Sequence, residues 1–183
     1  MLILVVGPSG AGKDTVLDAA RKRLAGDSRF RFVRRAITRP ASSGGEDHEA
    51  ITEAEFDRRV TAGEFSIWWR AHGLGYGTPA DVGGTIARNV VAVVNGSRTQ
   101  IEIAAQLFPT RVIEVTAAPE ILAQRLAARG REPAGDISER LARVIALPPN
   151  VPVDSVCNDS SIEVGVSRFV AALNRAVEFV ARS

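Results

Sequence analysis

Gly7-Pro8-Ser9-Gly10-Ala11-Gly12-Lys13 has the spacing G-x-x-x-x-G-K, and its residue types suit the binding of phosphate. Backbone N–H groups can turn inward onto phosphate oxygens only where no side chain blocks them, which is what the glycines allow. Lys13 adds a point charge beside the phosphates being separated, and is the expected catalytic cation. Gly7, Pro8, Ser9, Gly10, Ala11, Gly12, Lys13, Asp14 and Thr15 are therefore the expected nucleotide-binding residues. Asp14 stands where Ser or Thr usually reaches Mg²⁺. A carboxylate is a hard oxygen ligand that suits this ion directly or through water, and it also suits the first turn of a helix. Next to a triphosphate it is costly unless a cation lies between them, so dependence on Mg²⁺ is expected, with Asp14 as the metal residue.

Other nucleotide-handling chemistries lack their residues. No N-K-x-D run is present to read guanine as a GTPase does, and Asp81-Val82-Gly83-Gly84 fits D-x-x-G only as the first turn of a helix. No apolar run ends in an acid of the kind motor ATPases carry: Val90 to Val94 meets Asn95, and Val112 to Val115 contains only Glu114. Arginines are abundant instead. Of 23 basic residues only Lys13 and Lys22 are lysines. Arg34, Arg35 and Arg39 form one group, and Arg125, Arg129, Arg131 and Arg140 another. Forked guanidinium groups bind phosphate oxygens in pairs, as an enzyme bringing two polyanions together requires. His48 can hydrogen-bond a sugar-phosphate oxygen or rest on backbone. Tyr76, the only tyrosine, can touch a phosphate or ribose, or simply pack.

The elements that must position these residues alternate between short apolar runs and segments of helical period, the pattern of a parallel sheet covered by helices. Leu2 to Val6, Val90 to Val94, Arg111 to Thr116 and Val153 to Cys157 read as strands, as do Phe30 to Ile37 and Phe65 to Ala71. Helices are expected from about Thr15 to Gly26, after the capping pair Thr52 and Glu55 through Val60, from Thr78-Pro79-Ala80-Asp81, over Arg98 to Leu107, and from Pro119 through Arg129. Two more are expected from the pair Asp136 and Glu139 to Leu147, and from Ser161 to Val180. Gly73, Gly75 and Gly77 should break the strand before them, and the excursion at about 129 to 136 is the candidate lid. Trp68 and Trp69 should face opposite ways on their strand.

With 183 residues, 45% of them hydrophobic and 24% charged, the expectation is one domain over 1–183. A formal charge of +2 argues against nucleic-acid and membrane partners. Cys157 is alone, which excludes an internal disulfide, and the opening apolar run is too short for a leader or a span, so a cytoplasmic address is expected. The sequence sets no oligomeric state.

Four segments carry a resemblance: Gly7 to Thr15, Thr38-Arg39-Pro40, Gly75-Tyr76-Gly77-Thr78-Pro79, and Arg125 to Arg140 with Arg129-Gly130 inside it. In this order they resemble guanylate-kinase-like P-loop kinases over nearly the whole chain. Within that group the chain is most similar to the ribose 1,5-bisphosphate phosphokinases of phosphonate breakdown, through Gly12-Lys13-Asp14, Gly45 to Glu49, Trp68 to Gly77 and Val94 to Arg98. The resemblance implies a three-layer α/β P-loop fold, with an acceptor-binding insertion at about 34–80 and a lid. It also implies transfer of the ATP γ-phosphoryl group to ribose 1,5-bisphosphate, giving 5-phosphoribosyl 1-diphosphate. Arg129 and Arg140 are then further catalytic residues, and Arg39, His48 and Tyr76 bind substrate. Departures from guanylate kinases concern the acceptor: Ile67 stands near their purine-reading carboxylate, His48 replaces a phosphate-binding Tyr, a second arginine after Thr38-Arg39-Pro40 is missing, and Asn95 stands where an acid is expected. A site deprived of a buried polar contact rejects that ligand by factors near 10⁴. Two alternatives stay open, a nucleoside monophosphate kinase and an inactive module of this fold that binds proteins.

Overall fold

The computed structural model describes residues 1–43, 45–128 and 146–182. Leu2–Val6 (β1) is buried along its whole length, as a strand covered on both faces must be. It is the centre of a five-stranded parallel sheet with Phe30–Phe32 (β2), Val91–Asn95 (β7), Thr110–Thr116 (β8) and Val153–Cys157 (β9), in the order β2-β7-β1-β8-β9. On one face, Lys13–Arg23 (α1) and Ile162–Arg182 (α6) close a core around Ile3, Val5, Val16, Ile113, Phe169 and Leu173. On the other, Val82–Ala87 (α3) and Ile101–Leu107 (α4) cover Leu2, Leu4, Val94 and Val112. Pro119–Ala128 (α5) follows β8.

A second sheet lies between β2 and α3. Ala36–Ile37 (β3), Glu49–Ala50 (β4), Phe65–Ala71 (β5) and Leu74–Pro79 (β6) pair in the order β4-β3-β6-β5, with Glu53–Thr61 (α2) packed on it. Phe56, Phe65 and Ala36 form its own small core. Ile67 and Trp69, facing the other way, join the second core cluster, while Trp68 is outside as the alternation predicts.

Several expected boundaries move. The run Phe30 to Ile37 is two strands in different sheets, β2 on the parallel sheet and β3 on the insertion. Gly75 and Gly77 do not break a strand. They lie inside β6, where a Cβ would stand 2.9 Å from the Phe56 ring and 2.5 Å from that of Phe65, so the glycines give the two rings room. Only His72-Gly73 turns, with φ of 52° and 71°, the two positive values that a two-residue hairpin needs. Thr78 and Pro79 end β6 instead of opening a helix, and Asp81 precedes α3 without a side-chain cap. Thr52 does cap α2, accepting from the Glu55 N–H, but the Glu55 carboxylate turns to Arg58 and Arg59 and leaves the box half made. The helix expected from Asp136 lies outside the described residues, and Leu147, its expected end, is non-helical.

Candidate functional site

Gly7 to Gly12 leave β1 and deliver the chain to α1 at Lys13. Gly12 is the residue before the helix, at φ 82° with no side-chain cap, so the first-turn N–H groups have no competing side-chain acceptor. The Lys13 ammonium donates to the carbonyl oxygens of Gly7 (2.8 Å) and Pro8 (3.3 Å). Burial lowers its pKa from the usual lysine value; Asp14 and Glu46 act against the shift, Arg98 and Arg35 with it. The loop is also held from below. Asn158, buried after β9, donates through its amide to the Ala11 carbonyl at 2.8 Å. A Cβ on Gly12 would stand 2.6 Å from that amide, and one on Gly165 2.3 Å from its oxygen.

Two cavities open beside the phosphate loop. The first, of about 290 Å³, is lined by Gly10, Gly12, Thr15, Arg125, Asn158, Ser160 and Ile162. Arg125 has a buried Nη1 without a hydrogen-bond partner there. The second, of about 300 Å³, joins the loop to the insertion and includes Lys13, Asp14, Arg35, Arg39, Tyr76 and Arg98. Tyr76 stacks on Trp69, its cross-strand partner, with ring centres 5.1 Å apart and planes 9° from parallel. The Arg35 guanidinium sits 5.1 and 5.2 Å from the two ring centres and is held by Glu46 through two hydrogen bonds of 2.9 and 2.7 Å. An aromatic pair so covered on one side presents a cation to the cavity as well as a ring. Arg39 is less committed: its Nε is buried without a partner, and its Nη2 has only a 3.5 Å contact with the His48 ring.

His48 does not turn to this cavity. Its ring is buried, with Nδ1 2.9 Å from the Glu46 carbonyl and Nε2 3.0 Å from that of Arg39. Both nitrogens are thus engaged with backbone, and the histidine tethers the loop that carries Arg39 and Glu46; this corrects its reading as a ligand to a sugar-phosphate oxygen. Arg39 and Tyr76 do face the cavity, beside Lys13. Arg129 and Arg140, with the lid at about 129–136, lie outside the described residues.

Asn95 ends β7 and donates through one amide nitrogen to the carboxylates of Asp14, at 2.9 Å, and Glu46. Asp14 thus offers hard oxygen at the mouth of the phosphate loop, a donor type that fits Mg²⁺. Among the described residues no group of three or more His, Cys, Asp or Glu side chains could hold a metal. A cation here would complete its shell with nucleotide oxygens and water, the usual habit of Mg²⁺. Sequence reasoning does not single out Glu46, Trp69, Arg98 or Asn158 as site residues, because their partners lie elsewhere along the chain; the runs Gly45 to Glu49 and Val94 to Arg98 are the local signals for Glu46 and Arg98.

A protein-family model described as an AAA domain matches residues 3–146. The ribose 1,5-bisphosphate phosphokinase PhnN of Brucella melitensis biotype 2 is 48% identical over 166 residues, covering 90% of this chain and 86% of that protein. Its namesake in Methylobacterium radiotolerans is 47% identical over 173 residues, 94% of this chain and 96% of that protein. A bifunctional ribose 1,5-bisphosphokinase-thymidine phosphorylase of Cupriavidus necator is 51% identical over 171 residues, and there the chain spans only 28% of the relative's length. Among solved structures, guanylate kinase from Anaplasma phagocytophilum superposes with a TM-score of 0.69 at 17% identity, over 96% of this chain and 85% of that one. Among the described residues no helix is long and apolar enough to cross a membrane.

Proposed function

Since the chain belongs to the ribose 1,5-bisphosphate phosphokinase family, we propose that it transfers the γ-phosphoryl group of ATP to ribose 1,5-bisphosphate and releases ADP and 5-phosphoribosyl 1-diphosphate. The observation that carries this reading is the acceptor side of the cavity. Arg35, Arg39 and Arg98 line it, while Ile67, near the place of a purine-reading carboxylate, is 2% exposed inside an apolar cluster. Glu46, the carboxylate on that side, is held by Arg35. The pocket therefore suits a ligand rich in phosphate and offers little to the polar edge of a base.

The donor's phosphates lie along Gly7 to Lys13 and the start of α1, with its nucleoside toward the cavity of Arg125 and Asn158. Arg39 and Tyr76 hold the acceptor across from Lys13. A phosphate acceptor is already anionic at neutral pH, so no strong base is needed, and the chain supplies positioning and positive charge. An acceptor oxygen forms a bond to the γ-phosphorus as the bond to the ADP oxygen breaks. Asp14 would hold Mg²⁺, which when bound neutralises charge on the nucleotide phosphates. Arg129 and Arg140 supply further cations, as the sequence resemblance implies. We place the protein in the cytoplasm, where the lone Cys157 thiol stays reduced, acting on small molecules and not on nucleic acid or membrane, in the phosphonate breakdown that the sequence resemblance implies.

A coupled assay of ADP release tests the reading with ribose 1,5-bisphosphate and GMP side by side. Preference for the bisphosphate by at least about 10²-fold in kcat/KM is expected. Equal or better use of GMP would return the protein to the nucleoside monophosphate kinases.

A further inference from the structure

Arg98 opens the 3₁₀ turn Arg98–Gln100 that follows β7, and its side chain ends on Glu114 of β8, with Nε 3.2 Å and Nη2 2.7 Å from one carboxylate oxygen. These two strands are not neighbours. β1 lies between them, with Val5 paired to Asn95 on one side and Val6 to Glu114 on the other. The bridge from Arg98 to Glu114 must therefore cross the carboxyl end of β1, where Gly7 starts the phosphate loop. Gly7 is pressed against β8 at the same place, since a Cβ on it would stand 2.1 Å from the Val115 carbonyl oxygen. Ligands of parallel sheets bind in the crevice outside the carboxyl ends of the strands, and this is that crevice.

The cavity brings the guanidinium to the reaction, since it lines the same walls as Lys13, Arg39 and Tyr76. The fork reaches Glu114 through Nε and Nη2 only, and Nη1 makes no hydrogen bond among the described residues. Both partners are about five-sixths buried, with side chains 16% and 17% exposed. A buried pair of this kind adds little net stability over apolar packing, so stability is a poor account of its presence. Held by Glu114 from behind, Arg98 offers a preset pair of N–H donors to an anion arriving in front, with no reorganisation at the moment of reaction.

We propose that Arg98 is a catalytic residue that contacts the phosphoryl group in transit between donor and acceptor, and that Glu114 is its positioning residue. In the step it assists, an acceptor phosphate oxygen bonds to the γ-phosphorus while the bond from that phosphorus to the ADP oxygen breaks, and the electron pair leaves with ADP. Arg98 donates hydrogen bonds to the equatorial oxygens as their charge redistributes, and it transfers no proton. A lysine could supply the charge but not the fork. The identity of the acceptor rests on the function proposed above; the placement of Arg98 does not.

The test compares wild type with Arg98→Ala, Arg98→Lys and Glu114→Gln, reading kcat and KM by ADP release, nucleotide affinity by calorimetry with a non-hydrolysable ATP analogue, and thermal midpoint. Arg98→Ala should lower kcat by at least about 10²-fold, with analogue affinity within about threefold of wild type, and added guanidinium should restore at least about tenfold. Arg98→Lys should remain at least about tenfold slow. Glu114→Gln should lose about tenfold in kcat with the affinity kept, a split that a purely structural pair would not produce. An Arg98→Ala protein within threefold of wild-type kcat overturns the proposal, as does a folded one that guanidinium does not rescue. If that variant does not fold, Arg98→Lys decides: slow turnover supports the fork, and wild-type turnover removes it. Should wild type fail on ribose 1,5-bisphosphate, the acceptor reading falls by itself, and the same series is read on slow transfer to water.

Discussion

Lys13 is half-buried against the loop it serves, and its ammonium donates to two carbonyl oxygens of that loop. Its lowered pKa means that the folded state holds this proton less tightly than the unfolded chain does. The nucleotide-free protein therefore gains stability as pH rises through the lowered value toward the ordinary one near 10.5. A bound triphosphate supplies the missing counter-charge. Lys13→Ala should accordingly lower turnover by at least about 10²-fold, and the rise in thermal midpoint on adding ATP should shrink. Turnover near wild type would remove Lys13 from the catalytic set. Glu46 makes a contrasting case. It holds Arg35 with two hydrogen bonds, and the two side chains are 13% and 6% exposed. Glu46→Gln leaves that guanidinium buried without its counter-charge, a change of the kind that costs about 3 kcal/mol or more. Urea unfolding checks it, and a loss under about 1 kcal/mol would mean that Arg35 finds another partner, Asp14 being the carboxylate on the same cavity wall.

Elements differ in how far the sequence exposes them. Strands β1 and β7 are read almost to the residue because a strand buried on both faces is a continuous apolar run, and such runs are rare in a chain with 24% charged residues. The division of Phe30 to Ile37 between two sheets leaves no local mark, since β2 is fixed by pairing with β7 and β3 by pairing with β6, partners about 40 to 60 residues away. The phosphate loop is legible for the reason that it is local: a strand, a glycine turn and a helix in sequence. Arg35, Trp69 and Arg98 reach the site only through long-range pairing, so their type announces charge or ring but not place. The glycines of β6 mislead because their purpose lies on the neighbouring elements. Gly77→Ala tests that purpose. Its Cβ would overlap the Phe65 ring, which sits in the small core against Phe56 with ring centres 5.4 Å apart. Stability should fall by about 1–3 kcal/mol, as overpacking of a core does. Because Tyr76 is the preceding residue on the same strand, KM for the acceptor should rise while calorimetry finds ATP affinity unchanged.

The molecule is two sheets held by different forces, and acid should separate them. The parallel sheet is sandwiched between apolar layers, whereas the insertion has a core of a few residues and is bound on its outside by ion pairs. Arg59 joins Glu49 to Glu55, Arg58 joins Glu55 to Glu64, and Arg70 joins Glu53 to Asp57. Hydrogen bonds from Arg58 and Arg59 hold Glu55 down to about 2, Arg59 lowers Glu49, and Thr38 with Arg70 lowers Glu53. A carboxylate whose pKa is lower in the folded state stabilises that state above its ordinary value, and the contribution is lost as pH falls through the lowered one. All three act in the same direction, from about pH 4.5 downward. Being largely exposed, each pair is individually weak and screened by salt, and beyond its small core the insertion has Ile67 and Trp69 to tie it to the main sheet. Both tryptophans, Trp68 and Trp69, lie in β5, Trp69 where the insertion meets the main core, so intrinsic fluorescence reports on the insertion and its seat on that core, while far-ultraviolet circular dichroism is dominated by the helices that cover the main sheet. In an acid titration the fluorescence transition should come at higher pH than the loss of helical signal, and 0.5 M salt should move the fluorescence midpoint upward. Coincident transitions, unmoved by salt, would show that the apolar contacts of Ile67 and Trp69 with the main core, and not the ion pairs, hold the acceptor side in place.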